Sequence, residues 1–217
     1  MRTQILNFLA PTQTKLVAVS KTKPKSMIQA MYDEGQRIFG ENRVQELVEK
    51  AEALPKDIQW HQIGHLQTNK VKYIAPFVAL IHAVDSLKLL KEINKQAAKN
   101  ERVIDCLLQF HIAEESSKFG LSLAEAEELL TSEVYQKMEN ITLVGVMGMA
   151  TFTDNEVQVR NEFKTLKSHF DHLQQNYFAD RPTFKEISMG MSGDYQIAVE
   201  EGSTMVRIGS LLFGSRG

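Results

Sequence analysis

The stretch KLVAVSKTKPKSMIQAMY, Lys15 to Tyr32, holds the unit on which the rest of the chain is built. Leu16 to Lys21 is an apolar run rich in β-branched residues and reads as a strand buried on both faces, the pattern of a parallel sheet covered by helices. Beyond Pro24, Met27, Ile28, Met31 and Tyr32 recur at helical spacing. The strand runs straight into Lys21, and a lysine there must either escape to water along its aliphatic stem or meet a group that needs an amine.

Working outward, the same unit recurs. Strand-length runs are expected at Leu16 to Lys21, Ile38 to Asn42, Trp60 to Gly64, Leu80 to Val84, Val103 to Ile112, Leu143 to Ala150, Glu186 to Met191 and Met205 to Phe213. Helical periodicity separates most of them: Val44, Leu47, Val48 and Ala51 mark one helix, and long helices are expected over about Ser86 to Asn100 and Glu156 to Asn176. Ser122 with Glu125 has the form of a capping box ahead of Leu129 and Leu130. Alternating strands and helices give an α/β fold with a parallel sheet, and eight units in this length point to a single-domain (β/α)8 TIM barrel over residues 1–217. An open doubly wound sheet is the alternative.

Composition sets the function classes. Hydrophobic residues at 43% and charged residues at 24% are ordinary for a globular chain, and a net charge of −2 with mixed signs offers no basic stripe for nucleic acid. Cys106 stands alone in an apolar run, which excludes an internal disulfide and fits a reducing compartment. The opening MRTQILNFLA lacks a signal-peptide core, and no later run has the length of a membrane span, so a cytoplasmic protein is expected. The short segment before Leu16 leaves room for only a curtailed leading helix.

In such a barrel the chemistry lies at the C-terminal ends of the strands. Alternation puts Val17, Val19 and Lys21 on one face; with the valines inside, Lys21 reaches the barrel mouth. In STMVRIGS, Ser203 to Ser210, Arg207 interrupts an apolar strand. If Val206 and Ile208 pack under helices, Arg207 points inward and needs an acceptor; a structural pair with Glu41 is the plain alternative. In SMGMSGDY, Ser188 to Tyr195, small residues admit an anion to the backbone, and Ser192 or Asp194 can cap the helix expected over Tyr195 to Glu201. Gly209 and Ser210 join Ser192 where barrels often hold phosphate. An amine, an anion site and an arginine together suit pyridoxal 5′-phosphate: the lysine forms a Schiff base, the turns hold the phosphate, and the arginine faces the ring nitrogen. An arginine there leaves that nitrogen largely unprotonated, which argues against transamination. His61 and His65 have a spacing compatible with metal ligation, but no third ligand accompanies them, and no metal site is expected.

The blocks AVSKTKP, FGEN, WHQIGHLQTNK, SMGMSGD and STMVRIGSLLFG, in this order from Leu16 to Gly214, resemble the pyridoxal phosphate homeostasis protein family. The resemblance implies a barrel like the N-terminal domain of alanine racemase, with the cofactor on Lys21, Arg207 at the ring nitrogen, and Ser192, Gly209 and Ser210 on the phosphate; Asn42 of the FGEN block is a weaker carry-over. The expected function is that of a monomeric protein that holds pyridoxal phosphate for vitamin B6 and amino-acid balance, with dependent apoenzymes as partners and without clear turnover, since racemases of the related fold bring a second base from an added domain for which no chain remains here. Two other readings are a weak amino-acid racemase using Lys21 alone and a Schiff-base aldolase, which would leave Arg207 without a role.

Overall fold

The computed structural model describes residues 1–114 and 119–214. Eight parallel strands close into a barrel in chain order: β1 (Lys15–Val19), β2 (Ile38–Glu41), β3 (Gln59–Gln62), β4 (Leu80–Val84), β5 (Ile104–Gln109), β6 (Ile141–Met147), β7 (Glu186–Ser188) and β8 (Met205–Ile208). Parallel neighbours need crossovers. These are supplied by α2 (Lys25–Asp33), α3 (Val44–Ala53), α4 (Val71–Ile74), α5 (Leu87–Lys99), α6 (Leu123–Thr131), α7 (Glu133–Gln136), α8 (Glu156–Tyr177) and α9 (Tyr195–Glu200), with α1 (Arg2–Leu9) before the barrel and α10 (Ser210–Phe213) after it.

Alternation sorts each strand into an inside and an outside. Val17, Leu80, Ala83, Leu107, Val144, Met147 and Met205 form the apolar part of the interior, whereas Ala18, Phe39, Trp60, Ile81 and Leu108 face outward into the larger cluster shared with the helices. Val206 and Ile208 pack with Ile5 and Leu9 of α1 and with Val199 of α9. That places Arg207, between them, inside the barrel. The leading helix is short, as expected, yet it seals the seam where β8 meets β1.

Most expected strands overran their true ends. β8 is the clearest case: Leu211 to Phe213 are apolar and follow a strand, but Gly209 opens the short helix α10 and Phe213 is buried from there. Likewise β7 stops at Ser188, and β5 stops at Gln109 with only an isolated bridge from Phe110 to Leu121. Apolar side chains past the ladder continue to fill core without pairing their backbones. The capping box is present as read, with Ser122 accepting from Glu125 N–H and Glu125 accepting from Ser122 N–H. Gly145 carries a requirement invisible in the pattern: at φ +155°, a Cβ on it would lie 1.8 Å from Glu186 O. The backbone of β7 occupies the place where its side chain would be. Cys106 is buried, and burial pushes its thiol well above the usual range, so it is inert.

Candidate functional site

Of the six residues singled out from the sequence, Arg207 lies within β8 and the other five follow the C-terminal ends of four strands that are consecutive around the closed barrel, β7, β8, β1 and β2. Ser192 and Gly209 meet directly: Gly209 N–H donates to Ser192 Oγ at 3.3 Å, tying the turn after β7 to the turn after β8. Ser210 is the first residue of α10 and is exposed. Gly209 also lies against the end of β1, since a Cβ on it would sit 3.2 Å from Val19 O. Lys21, half-buried, is two residues past that point. Val19 pairs with Gly40, and Asn42 follows two residues on, its carbonyl accepting from Gln62 Nε2 at 3.0 Å.

Neither Ser192 nor Asp194 caps α9 through its side chain, contrary to the reading above. Asp194 turns back instead and accepts from Met191 N–H at 2.5 Å, closing the turn on itself. The same turn depends on Gly190, which has φ +95° and would put a Cβ 2.6 Å from Ala198 Cβ. The loop is therefore shaped by its own backbone, leaving the Ser192 hydroxyl to the neighbouring strand end.

Arg207 is buried and does not pair with Glu41. Its Nη1–H donates to Ser188 Oγ at 2.6 Å and its Nη2–H to Gly148 O at 3.1 Å. Burial pulls its pKa down to about 10, opposed by the charge of Asp194, so it remains a cation at neutral pH. No carboxylate forms an ion pair with it among the described residues. Two of its five N–H donors are committed in these bonds, which suits a guanidinium held for a further acceptor.

Ser188 begins a chain of contacts that sequence reasoning missed. Ser188 Oγ lies 3.0 Å from His82 Nδ1, and His82 Nε2 lies 3.0 Å from His61 Nδ1. Arginine can only donate, so Ser188 Oγ accepts from Arg207, and when Ser188 passes its own proton on to His82 and His82 to His61, His61 Nε2 is the donor at the far end; the opposite histidine tautomers reverse the last two bonds. Desolvation lowers both histidines, His61 to about 3 and His82 well below its ordinary value, and both are neutral. His61 is thus a buried link. His65, half-exposed, instead places Nδ1 3.3 Å from Asp85 and stacks on Phe119, so the two histidines diverge. The signal was available: His82 interrupts the apolar run LIHAV as Arg207 interrupts its own strand.

A second network was also missed. Lys50 of α3 is buried and donates to Ser20 O, Glu41 Oε1 and Glu46 Oε1, each at 2.7 Å. Ser20 Oγ donates to Glu41 Oε1 at 2.6 Å, and Thr22 N–H donates to Glu46 Oε1 at 2.6 Å. Thr22 has φ +64°, a region β-branched residues avoid. These bonds clamp the residues on either side of Lys21. Desolvation raises the Glu41 carboxyl, partly offset by Lys50 and Ser20.

An α/β barrel with a lysine, an arginine and two small-residue turns gathered at one rim defines a class, and the family model described as alanine racemase, N-terminal domain, matches residues 2–217. The chain belongs to this family and, within it, to the pyridoxal phosphate homeostasis proteins. It is 43% identical to the pyridoxal phosphate homeostasis protein of Aquifex aeolicus (strain VF5), covering 93% of this chain and 87% of that one, and 40% identical to that of Homo sapiens, covering 96% and 78%. Among solved structures, PipY of Synechococcus elongatus PCC7942 with PLP bound superimposes with a TM-score of 0.83 at 33% identity, over 97% of this chain and all of that one. Alanine racemase from Bartonella henselae, with covalently bound pyridoxal phosphate, shares the fold at a TM-score of 0.71 and 16% identity, with 99% of this chain covering 57% of the enzyme.

Proposed function

We propose that the chain binds pyridoxal 5′-phosphate at the C-terminal rim of its barrel, through a Schiff base on Lys21, and serves as a cytoplasmic holder of the cofactor in vitamin B6 and amino-acid balance. The observation that carries this reading is Arg207: a buried guanidinium without an ion-paired carboxylate among the described residues, on the strand whose end meets Ser192 through Gly209. Such a cation at a ring nitrogen donates a hydrogen bond without protonating it, which keeps the ring a weak electron sink. Ser192, Gly209 and Ser210 would take the phosphate and Asn42 would border the ring. The cofactor supplies an electrophilic aldehyde, and this chain supplies a positioned amine and an anion cradle.

Family membership supports the reading, as does the PLP-bound relative. The tyrosines support a holder over a racemase. Tyr32 donates to Asp57 and Tyr177 to Glu127, Tyr135 is buried, Tyr195 packs edge-on to Phe8, and Tyr73 lies beside Lys70 and Lys72. Each has a partner away from the rim formed by β7, β8, β1 and β2 except Tyr195, which is turned toward α1. Proton return on the opposite face of a substrate therefore lacks an evident donor.

The visible absorption spectrum of the protein reconstituted with pyridoxal phosphate tests the site. A yellow band is expected in the wild type and its loss in Lys21→Ala. A colourless wild type, or a band that survives the substitution unchanged, overturns the assignment. Racemisation of either alanine enantiomer well above the rate with free cofactor would replace the holder by the enzyme.

A further inference from the structure

At the opposite, N-terminal end of the barrel lies a cavity of about 620 Å³, within the size range of small-molecule sites. Barrel interiors are usually filled by layers of branched apolar residues, and this end serves stability. Here the interior layer is charged. Register partners in a parallel sheet face the same side, so His61, Leu80 and Asp105, aligned across β3, β4 and β5, all point inward with the interior residue Leu80. Lys15 is aligned in the same way with Met205.

The charges are not all spent on one another. Lys15 pairs with Glu186 Oε1, and Glu186 Oε2 accepts from Thr204 Oγ1 at 2.8 Å, so that pair is complete. Asp105 makes no ion pair and no side-chain hydrogen bond among the described residues, and desolvation with the nearby Glu186 charge raises its carboxyl against the opposing charge of Lys15. Lys185, on the cavity rim, has no ion pair among them either. His61 lines the same space and stands at the far end of the buried chain of contacts from Arg207. Ile38, Leu80 and Val144 supply an apolar wall. A carboxylate and an ammonium without an ion-pair partner among the described residues, with an imidazole beside an apolar wall, match a ligand that carries both charges.

We infer that this cavity is a second binding site, for a small zwitterion whose ammonium pairs with Asp105 and whose carboxylate meets Lys185 and His61. The site stands apart from the cofactor rim and does not depend on the cofactor assignment. Its test uses the full-length chain free of pyridoxal phosphate, titrated calorimetrically with leucine and 4-aminobutyrate as zwitterions and with n-butylamine and butyrate as single-charge controls. At least one zwitterion should bind at least tenfold more tightly than both controls. Asp105→Asn should weaken that binding at least tenfold, and Lys185→Met, at an exposed position, should weaken it severalfold. Lys21→Ala should leave it unchanged, which separates this site from the rim. Absence of binding by both zwitterions, equal binding by a single-charge control, or indifference to Asp105→Asn overturns the inference.

Discussion

Arg207 is a cation at neutral pH in a buried place, and its position is set by what it donates to. Ser188 is the hinge of that arrangement, touching Arg207 Nη1 at 2.6 Å and His82 Nδ1 at 3.0 Å. Ser188→Ala removes one oxygen and leaves two buried polar groups without a partner. The expected loss of stability is about 1–3 kcal/mol in urea denaturation, because an unpaired buried donor costs its full desolvation. A change under about 0.5 kcal/mol would show that water replaces the hydroxyl. Alternation made the direction of Arg207 legible as a condition, inward if Val206 and Ile208 pack under helices, and their packing with α1 and α9 meets it. Its acceptors were not legible. Gly148 and Ser188 lie 59 and 19 positions away in the chain, and strand register alone brings them within reach.

At the scale of elements, β1, β2 and α3 are joined by one lysine. Lys50 looks like a solvated helix residue in the sequence, four positions after Glu46 on a helix with charged neighbours. The register of β2 against α3 instead drives it into the gap beneath Ser20, where it offsets the buried Glu41. Lys50→Met therefore leaves an uncompensated carboxylate and is expected to cost about 3–5 kcal/mol. Adding Glu41→Gln should recover part of that loss, since the double variant removes the charge that the single one strands; additive losses in the cycle would exclude the coupling. Because the same lysine holds Ser20 O, Lys50→Met should also weaken retention of pyridoxal phosphate, read as cofactor lost on dialysis relative to wild type. Helix faces and strand alternation were readable because each is a local periodicity. The ion pair depends on two elements docking, and no spacing in the chain encodes it. The overlong strands have the same origin: apolar residues such as Leu212 signal burial, while the end of hydrogen bonding is decided by Gly209 and the helix it opens.

For the molecule as a whole, the barrel's polar interior links stability to pH. His61 is neutral when folded, with a pKa lowered to about 3 by burial and by the Lys15 charge, while an unfolded histidine titrates near 6.5. Below that value the unfolded chain takes up a proton that the folded chain refuses. The stability contributed by the neutral ring is complete above about pH 6.5 and is lost as pH falls toward 3, by about 2 kcal/mol at pH 5. His82 acts in the same direction. Glu41 and Asp105 act in the opposite one, since their raised carboxyls take protons in the folded state first and so gain stability as pH falls. Wild-type unfolding against pH mixes these terms, and a variant separates them. His61→Gln keeps a polar group beside His82 and removes the titration. The stability advantage of wild type over His61→Gln should shrink by about 2 kcal/mol between pH 7 and pH 5 in urea titrations. A difference that stays constant over that range would mean that His61 gains its proton inside the barrel, with Lys15 and Arg207 at either end of its chain failing to keep it neutral.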